Sequence, residues 1–339
     1  SSVTNALNWE ENNLISSGNI LISASDHSTM AVVSGVVAAG IATGGFGASV
    51  STTVVNNTID AFVSGANVSS TNGSVDITSG FFPNDKSIDL ADFGLASLTT
   101  DYDIDFSSQI ISVTLAGAGG QSFGIGGAIS LNWLKNKVAA YIDEGANVNA
   151  KTEINVQAKD EATILSVALG VAGSVAGGAG GAAVSINYIG GNDFDLSPYL
   201  TSEFLSSELF GLDTLVPDRS YVRAYIDSAT VDAGGDVSVL AHGASILTNV
   251  SIGGAGAGAN AVGGSIAVNF IRNDITADIR NGADVDADGK LDLVALSTET
   301  MIVVAGGGAG SGGNAAGITV AVNESFITAE ASIEGALTE

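Results

Sequence analysis

Apolar and polar positions alternate along much of the chain. "EINVQAK" (153–159), "DVSVLA" (236–241) and "KLDLVAL" (290–296) place an apolar residue at every second position. So do "GAISLN" (127–132), "GAAVSIN" (181–187), "GGSIAVN" (263–269) and "GITVAVN" (317–323). A period of two, rich in β-branched residues, predicts strands with one face in a core. Between the two kinds of strand run uncharged stretches of Gly, Ala, Val, Ser and Thr, at 28–59, 106–134, 162–192, 244–271 and 300–323. No part of this repeating pattern carries a convincing helical stripe.

The pattern recurs. One phrase closes each round: "AFVSGANV" (61–68), "AYIDEGANV" (140–148), "AYIDSATV" (224–231), "ADIRNGADV" (277–285) and a frayed "AEASIEGAL" (329–337). The alanines near the end of each phrase, Ala66, Ala146, Ala229, Ala283 and Ala336, are 80, 83, 54 and 53 residues apart. The two long intervals each hold an extra segment, at 81–108 and 192–220, and without these every unit is about 53 residues. All 3 prolines (Pro83, Pro198 and Pro217) fall in the extra segments, as expected of loops leaving a sheet. The second includes "SPYLTSEFLSSELFG", with Ser197 as N-cap, Pro198 at the first helical position and Gly211 as a stop, which predicts a short amphipathic helix. It either packs on the flank of the fold or binds a partner.

These units predict an all-β parallel β-helix, or β-solenoid, occupying residues 1–339 as a single domain, with the inserts projecting from it. A coil of 53 residues is long for such a fold. Two rungs of about 26 per unit are expected, giving nine or ten rungs and, at about 4.8 Å each, a rod of some 45 Å. Asn132, Asn187, Asn269 and Asn323 sit at one place in the unit, with Thr53 there in the first, and are expected as turn or ladder residues satisfying backbone groups.

Composition sharpens this picture. The 339 residues carry 36 Asp and Glu against 10 Lys and Arg, for a net charge of −26. Such a surface repels nucleic acid and anionic lipid. There is no cysteine, which excludes disulfides, thiolate zinc sites and cysteine nucleophiles. No signal peptide is visible at Ser1, and the chain reads as a window of a longer protein or as a mature subunit.

The uncharged stretches are long enough to cross a bilayer as helices. Glycine is a poor helix former, the apolar residues alternate, and no Lys/Arg flanks bias a topology, so no membrane span is expected. A phosphate loop fails for want of a following lysine and a βαβ pattern. The repeats of calcium-binding nonapeptide rolls fail as well, because "GGAGAG" and "GGGAGS" lack the aspartate of GGxGxD. A solenoid wall of small side chains remains.

The segment "AYIDEGANVNAKTEINVQAKDEATILSVALGVAGSVAGGAGGAAVSIN" (140–187) resembles the repeat region of very large secreted filamentous adhesins. These are the filamentous-haemagglutinin and fusobacterial-leukotoxin-like group of Gram-negative bacteria. There a Gly/Ala-rich stretch, a "SVSVN"-like strand and an "AYIGxGAxVNA"-like phrase alternate many times. The resemblance covers nearly the whole chain outside the inserts. It implies a right-handed parallel β-helix, export, and a part in surface filaments or adhesion.

Candidate chemistry is sparse. His27 and His242 each end the first strand of a unit and are expected at equivalent turns. Arg219 and Arg223 are the one clustered arginine pair, with Arg223 expected on a solvated strand face. "DVDADGKLDLVA" (284–295) places Asp284, Asp286, Asp288 and Asp292 at positions one, three, five and nine of an EF-hand-like loop, with Gly289 at six, so Ca2+ is the candidate cofactor. Against it, Ala295 stands where a bidentate Glu belongs, and an acidic repeat turn is the plainer reading. Asp101, Asp103 and Asp105 form a second acidic row, read as a solvated edge. Phe81, Phe82, Tyr102, Tyr199 and Phe204, in or beside the inserts, are candidate contact residues.

The expectation is therefore a non-enzymatic structural or adhesive segment of an extracellular bacterial filament or cell-surface fibre. Its partners are other copies of itself, end to end or side by side, and a host or neighbouring-cell glycan or protein. Alternative readings are a carbohydrate-active β-helix lyase or epimerase and a membrane-inserting toxin segment.

Overall fold

The computed structural model describes residues 8–10, 12–82, 108–190 and 220–335. Their strands form three sheets whose members run parallel from coil to coil, a parallel β-helix. Short strands make the first sheet: β1 (Asn8–Glu10), β2 (Asn13–Ser16), β6 (Asn67–Ser70), β10 (Asn147–Ala150), β14 (Thr230–Ala233) and β17 (Asp284–Ala287). Only β1 and β2 pair antiparallel there.

The other two sheets are built from longer strands, of 7 to 21 residues. The first long sheet holds β3 (Ile20–Asp26) with β4 (Met30–Gly40), β7 (Val75–Phe81) with β8 (Ile110–Gly120), then β11 (Ile154–Ser174), β15 (Val237–Ala257) and β18 (Leu291–Ser311). The second holds β5 (Gly44–Ser64), β9 (Phe123–Asp143), β12 (Gly178–Gly190) with β13 (Tyr221–Asp227), β16 (Asn260–Arg280) and β19 (Asn314–Ile333). A coil thus runs up one long strand, turns tightly, runs down another, and closes through a short strand.

This corrects the two-rung expectation. Residues stacked in adjoining coils are 54 or 55 apart where no insert intervenes, as in Ile110–Ile164, Val237–Leu291 and Asn260–Asn314 at 54 and Asn132–Asn187 at 55. One unit closes one coil, because two strands of 21 residues use up most of it. At about 3.3 Å per residue such strands extend about 70 Å, whereas five coils at about 4.8 Å stack to only about 24 Å. The body is a flat blade, broader than its stack is high, and not the rod of nine or ten rungs.

Each insert interrupts a long strand. The first separates β7 from β8 in the second coil and the second separates β12 from β13 in the third. Phe81 still belongs to β7, so the sheet continues one residue into the first predicted insert. The predicted helix at Ser197–Gly211 lies outside the described residues.

The core changes character from base to tip. At the base, Val, Ile and Ala from all three sheets form the main cluster, including Ile77, Val138, Ile142, Val156, Val239 and Ile275. The closing phrase makes the corner here. Glu144 and Gly145 take φ of 54° and 74°, as Asn281 and Gly282 take 55° and 73°. This left-handed pair favours a Gly, and it drops Ala146 inward to be buried. A second cluster, around Ile110, Leu134, Ile164, Ile189, Leu247 and Ile271, lies farther up.

At the tip the two long sheets meet backbone to backbone. Gly47, Gly126, Gly181, Gly263 and Gly317 share one row through all five coils. A Cβ on Gly126 would run into the carbonyl oxygen of Val171, one on Gly181 into that of Gly254, and one on Gly263 into that of Gly308. Those carbonyls are themselves in register. The uncharged stretches are therefore the two arms of each tip, and their small side chains let the sheets close.

Candidate functional surface

Between the apolar cluster and the glycine tip lies a buried polar column. Asn132 donates from Nδ2 to Oδ1 of Asn187 at 2.7 Å, Asn187 to Asn269 at 2.9 Å, and Asn269 to Asn323 at 2.8 Å. Hydroxyls zigzag beside them between the sheets, Ser112–Ser130 at 3.0 Å, Ser130–Ser166 at 3.1 Å and Ser166–Ser185 at 2.9 Å. The asparagines are ladder residues, as expected, but they bond one another and serines instead of the turn backbone. Thr53 begins the row, and neither its Oγ1 nor Oδ1 of Asn132 has a hydrogen-bond partner.

A second polar group sits at the height where both inserts depart. Asp160, on β11, faces inward and is 4% exposed. Asn136 donates to its Oδ1 at 2.7 Å and exchanges hydrogen bonds with Gln109, each at 3.2 Å. Burial pushes the Asp160 carboxyl up to about 7, against the hydrogen bond from Asn136 and reinforced by the nearby Glu161 charge. The sequence reading passed over these three residues, although the inward parity of Asp160 is legible in "INVQAKDEA".

The predicted calcium loop is a strand and a turn. Asp284 and Asp286 lie on β17 with alternating neighbours Val285 and Ala287, while Asp288 follows the strand and Asp292 stands on β18. Among the described residues no group of three or more His, Asp or Glu side chains is placed to hold a metal ion. Asp101, Asp103 and Asp105 lie outside the described residues.

The aromatic candidates separate. Phe81 is not a surface contact: it faces inward and is fully buried in the base core, because β7 continues through it. Phe82 is half-buried, with its ring 5.7 Å from that of His27 and the Lys159 ammonium 5.5 Å from its centroid. Tyr102, Tyr199 and Phe204 lie outside the described residues. His27 and His242 are not equivalent: His242 is in register with Lys159, which is in register with Gly80 and through it Ser25, two positions before His27. Arg223 lies on the outer face of β13 with its guanidinium 4.5 Å from the Tyr221 ring centroid. Arg219 is outside the described residues.

Stacked rows also appear outside. Phe62, Tyr141 and Tyr225 pile up on the outer face of the second long sheet, with centroids 5.0 and 4.7 Å apart, and Arg280 covers Tyr225 at 4.5 Å. Arg280 also donates to Asp227 at 2.8 Å. Burial lifts the Asp227 carboxyl, but hydrogen bonds from Asn281, Arg280 and Ser228 outweigh it and hold the group below the usual range.

Above these rows both faces are apolar and largely exposed near the tip, with Val37, Val171 and Val304 on one sheet and Phe46, Val262 and Ile318 on the other. No helix among the described residues is long and apolar enough to cross a membrane. No protein-family model matches the chain, and neither a curated protein nor a solved structure does.

Proposed function

We propose that this chain is a structural segment of an extracellular surface fibre, built by stacking β-coils and joining further coils along the same axis. One observation carries the reading: apart from the local group of Asp160, Asn136 and Gln109, the recurring side-chain features run along the stack. Glycines, asparagines, serines and aromatics each form rows that cross coils instead of converging on one point. Rows of this kind stiffen an axis and repeat with each added coil. Among the described residues, β18 and β19 pair on one side only, leaving main-chain groups along both strands for the next coil. The acidic surface keeps such a body soluble and unattached to nucleic acid. Adhesion to a glycan or protein is assigned to the segments between β7 and β8 and between β12 and β13.

Electron microscopy of the purified chain tests this. Fibres with blade-wide cross-section, a cross-β spacing along the axis and lengths that grow with concentration are expected. Plates one chain high at every concentration would overturn axial joining.

A further inference from the structure

We infer that the tip half of the second long sheet is a pairing face for a second copy of this chain, sideways to the stacking axis. The outer face there carries a ridge of β-branched residues through all five coils: Val50, Ile129, Val184, Ile266 and Val320 are mutually in register. Two residues nearer the tip runs a row of small ones, Ala48, Gly127, Ala182 and Gly264, ended in the last coil by Ile318. Beyond it rise Phe46, Ile125 and Val262. A ridge, a groove and a broken second ridge therefore lie side by side, about 6.6 Å apart. Exposure is 66% at Phe46, 52% at Val262 and 62% at Ile318, whereas Ile129 and Val184 on the ridge are half-buried against Leu131 and Ile186, which bound the face on the side away from the tip.

Three arguments name a second copy as the occupant. The first is shape. The ridge has the coil spacing of the groove, so the ridge of one chain seats in the groove of another, as in dry interdigitated sheets. The second is charge. Residues 44–55, 123–134, 178–190, 260–271 and 314–323 hold no charged side chain in a chain of net charge −26. Two copies repel each other elsewhere and meet without that cost here. The third is area. Five strands at about 4.8 Å and the six residues that span the three rows at about 3.3 Å cover roughly 475 Å² per copy, so a pair buries about 950 Å², the size of a weak, reversible interface.

A lipid surface fits less well. Inserted into hydrocarbon, the one-sided strands β18 and β19 would carry unpaired main-chain groups with them, each costing several kcal/mol. Face-to-face pairing leaves those edges in water. A sugar would find no hydrogen-bonding side chain on the ridge.

The test is sedimentation velocity from about 1 to 100 μM, on the full chain and on Val262→Lys, Val50→Lys and Thr58→Lys, with circular dichroism to confirm the fold of each. Val262 and Val50 point outward, so their replacement does not disturb the core; Thr58 is exposed on the same sheet below the face. Expected is a species of twice the chain mass whose dissociation constant rises at least tenfold in either valine variant and is unchanged in Thr58→Lys. A wild type of single-chain mass throughout overturns the inference, as does equal weakening by all three variants. Flotation of the wild type with phosphatidylcholine vesicles, lost in Val262→Lys without any dimer in solution, overturns it in favour of lipid. Fibre growth along the axis is independent of these outcomes, so failure of this pairing leaves the stacking proposal standing.

Discussion

The carbonyl oxygen of Gly254 occupies the place where a side chain on Gly181 would begin. The two residues belong to opposite long sheets in neighbouring coils, and their contact sets how closely the blade closes. Gly181→Ala adds one methyl group with nowhere to go, and the object it meets is backbone. The expected cost is about 1–3 kcal/mol or more, as for other overpacked sites. Gly256, two residues beyond Gly254 on the same strand, has open space at its Cβ position, so Gly256→Ala is expected to change stability by no more than about 0.5 kcal/mol. Urea unfolding of the pair decides: equal midpoints would mean the sheets separate freely and the glycine row has no packing role.

Thr53 tops a ladder that it does not join. It is buried in the row of Asn132, Asn187, Asn269 and Asn323, and the Asn132 Oδ1 facing it is unpaired. Thr53→Asn supplies an amide donor in the geometry already used three times below it. A gain of about 1 kcal/mol is expected, the net value of one intramolecular hydrogen bond plus relief of a buried unsatisfied acceptor. A lower melting temperature in the variant would show that the first coil lacks room for the amide.

How much of this was legible beforehand follows from which interactions are periodic. Alternation in "GGSIAVN" and its counterparts revealed the strands, and the spacing from Ala229 to Ala283 revealed the repeat, because stacked coils place the same demand on the same position. The coil count was missed. Sequence period shows how often the pattern returns, whereas the number of corners within it depends on strand length, and a 21-residue strand looks the same locally as two short ones. Phe81 was misplaced for a related reason: an insert boundary has no side-chain signature when the sheet runs one residue into it. The polar group around Asp160 has no local signature because Asn136 and Asp160 come from two strands and Gln109 from the residue leading into a third. The alternation does not set the apolar tip faces apart from the rest of the wall, since a period of two does not say whether the second face meets water.

Asp160 makes stability depend on pH. Its folded-state value near 7 lies above the ordinary carboxylate value of about 4, so the folded chain holds a proton that the unfolded chain releases. The contribution is complete below about pH 4 and is lost as pH rises through about 7. His242 works the other way. Burial and the Lys159 charge lower its pKa, against the pull of Glu161, so its contribution is present at higher pH and is lost as pH falls. Comparing wild type with Asp160→Asn isolates the carboxyl. The variant is expected to lose the decline in stability between about pH 4 and 7 measured by urea unfolding. Parallel curves for the two proteins would place the Asp160 titration outside this range.

Asp286 stacks in register on Asp232, so two carboxylates of adjoining short strands lie one coil spacing apart. Like charges directly opposite each other in a sheet are destabilising. Asp286→Asn is therefore expected to stabilise the chain by a few tenths of a kcal/mol at low ionic strength. The gain should fade in 0.5 M sodium chloride, where screening is a matter of a few ångströms. The same variant examines the EF-hand-like spacing of Asp284, Asp286, Asp288 and Asp292. If millimolar calcium raises the melting temperature no more than sodium chloride of equal ionic strength, in wild type and variant alike, the row is an acidic edge and its charges act by repulsion. If calcium raises it by several degrees in the wild type and Asp286→Asn abolishes that rise, the carboxylates gather on an ion, and the repulsion argued here is the wrong account of this edge.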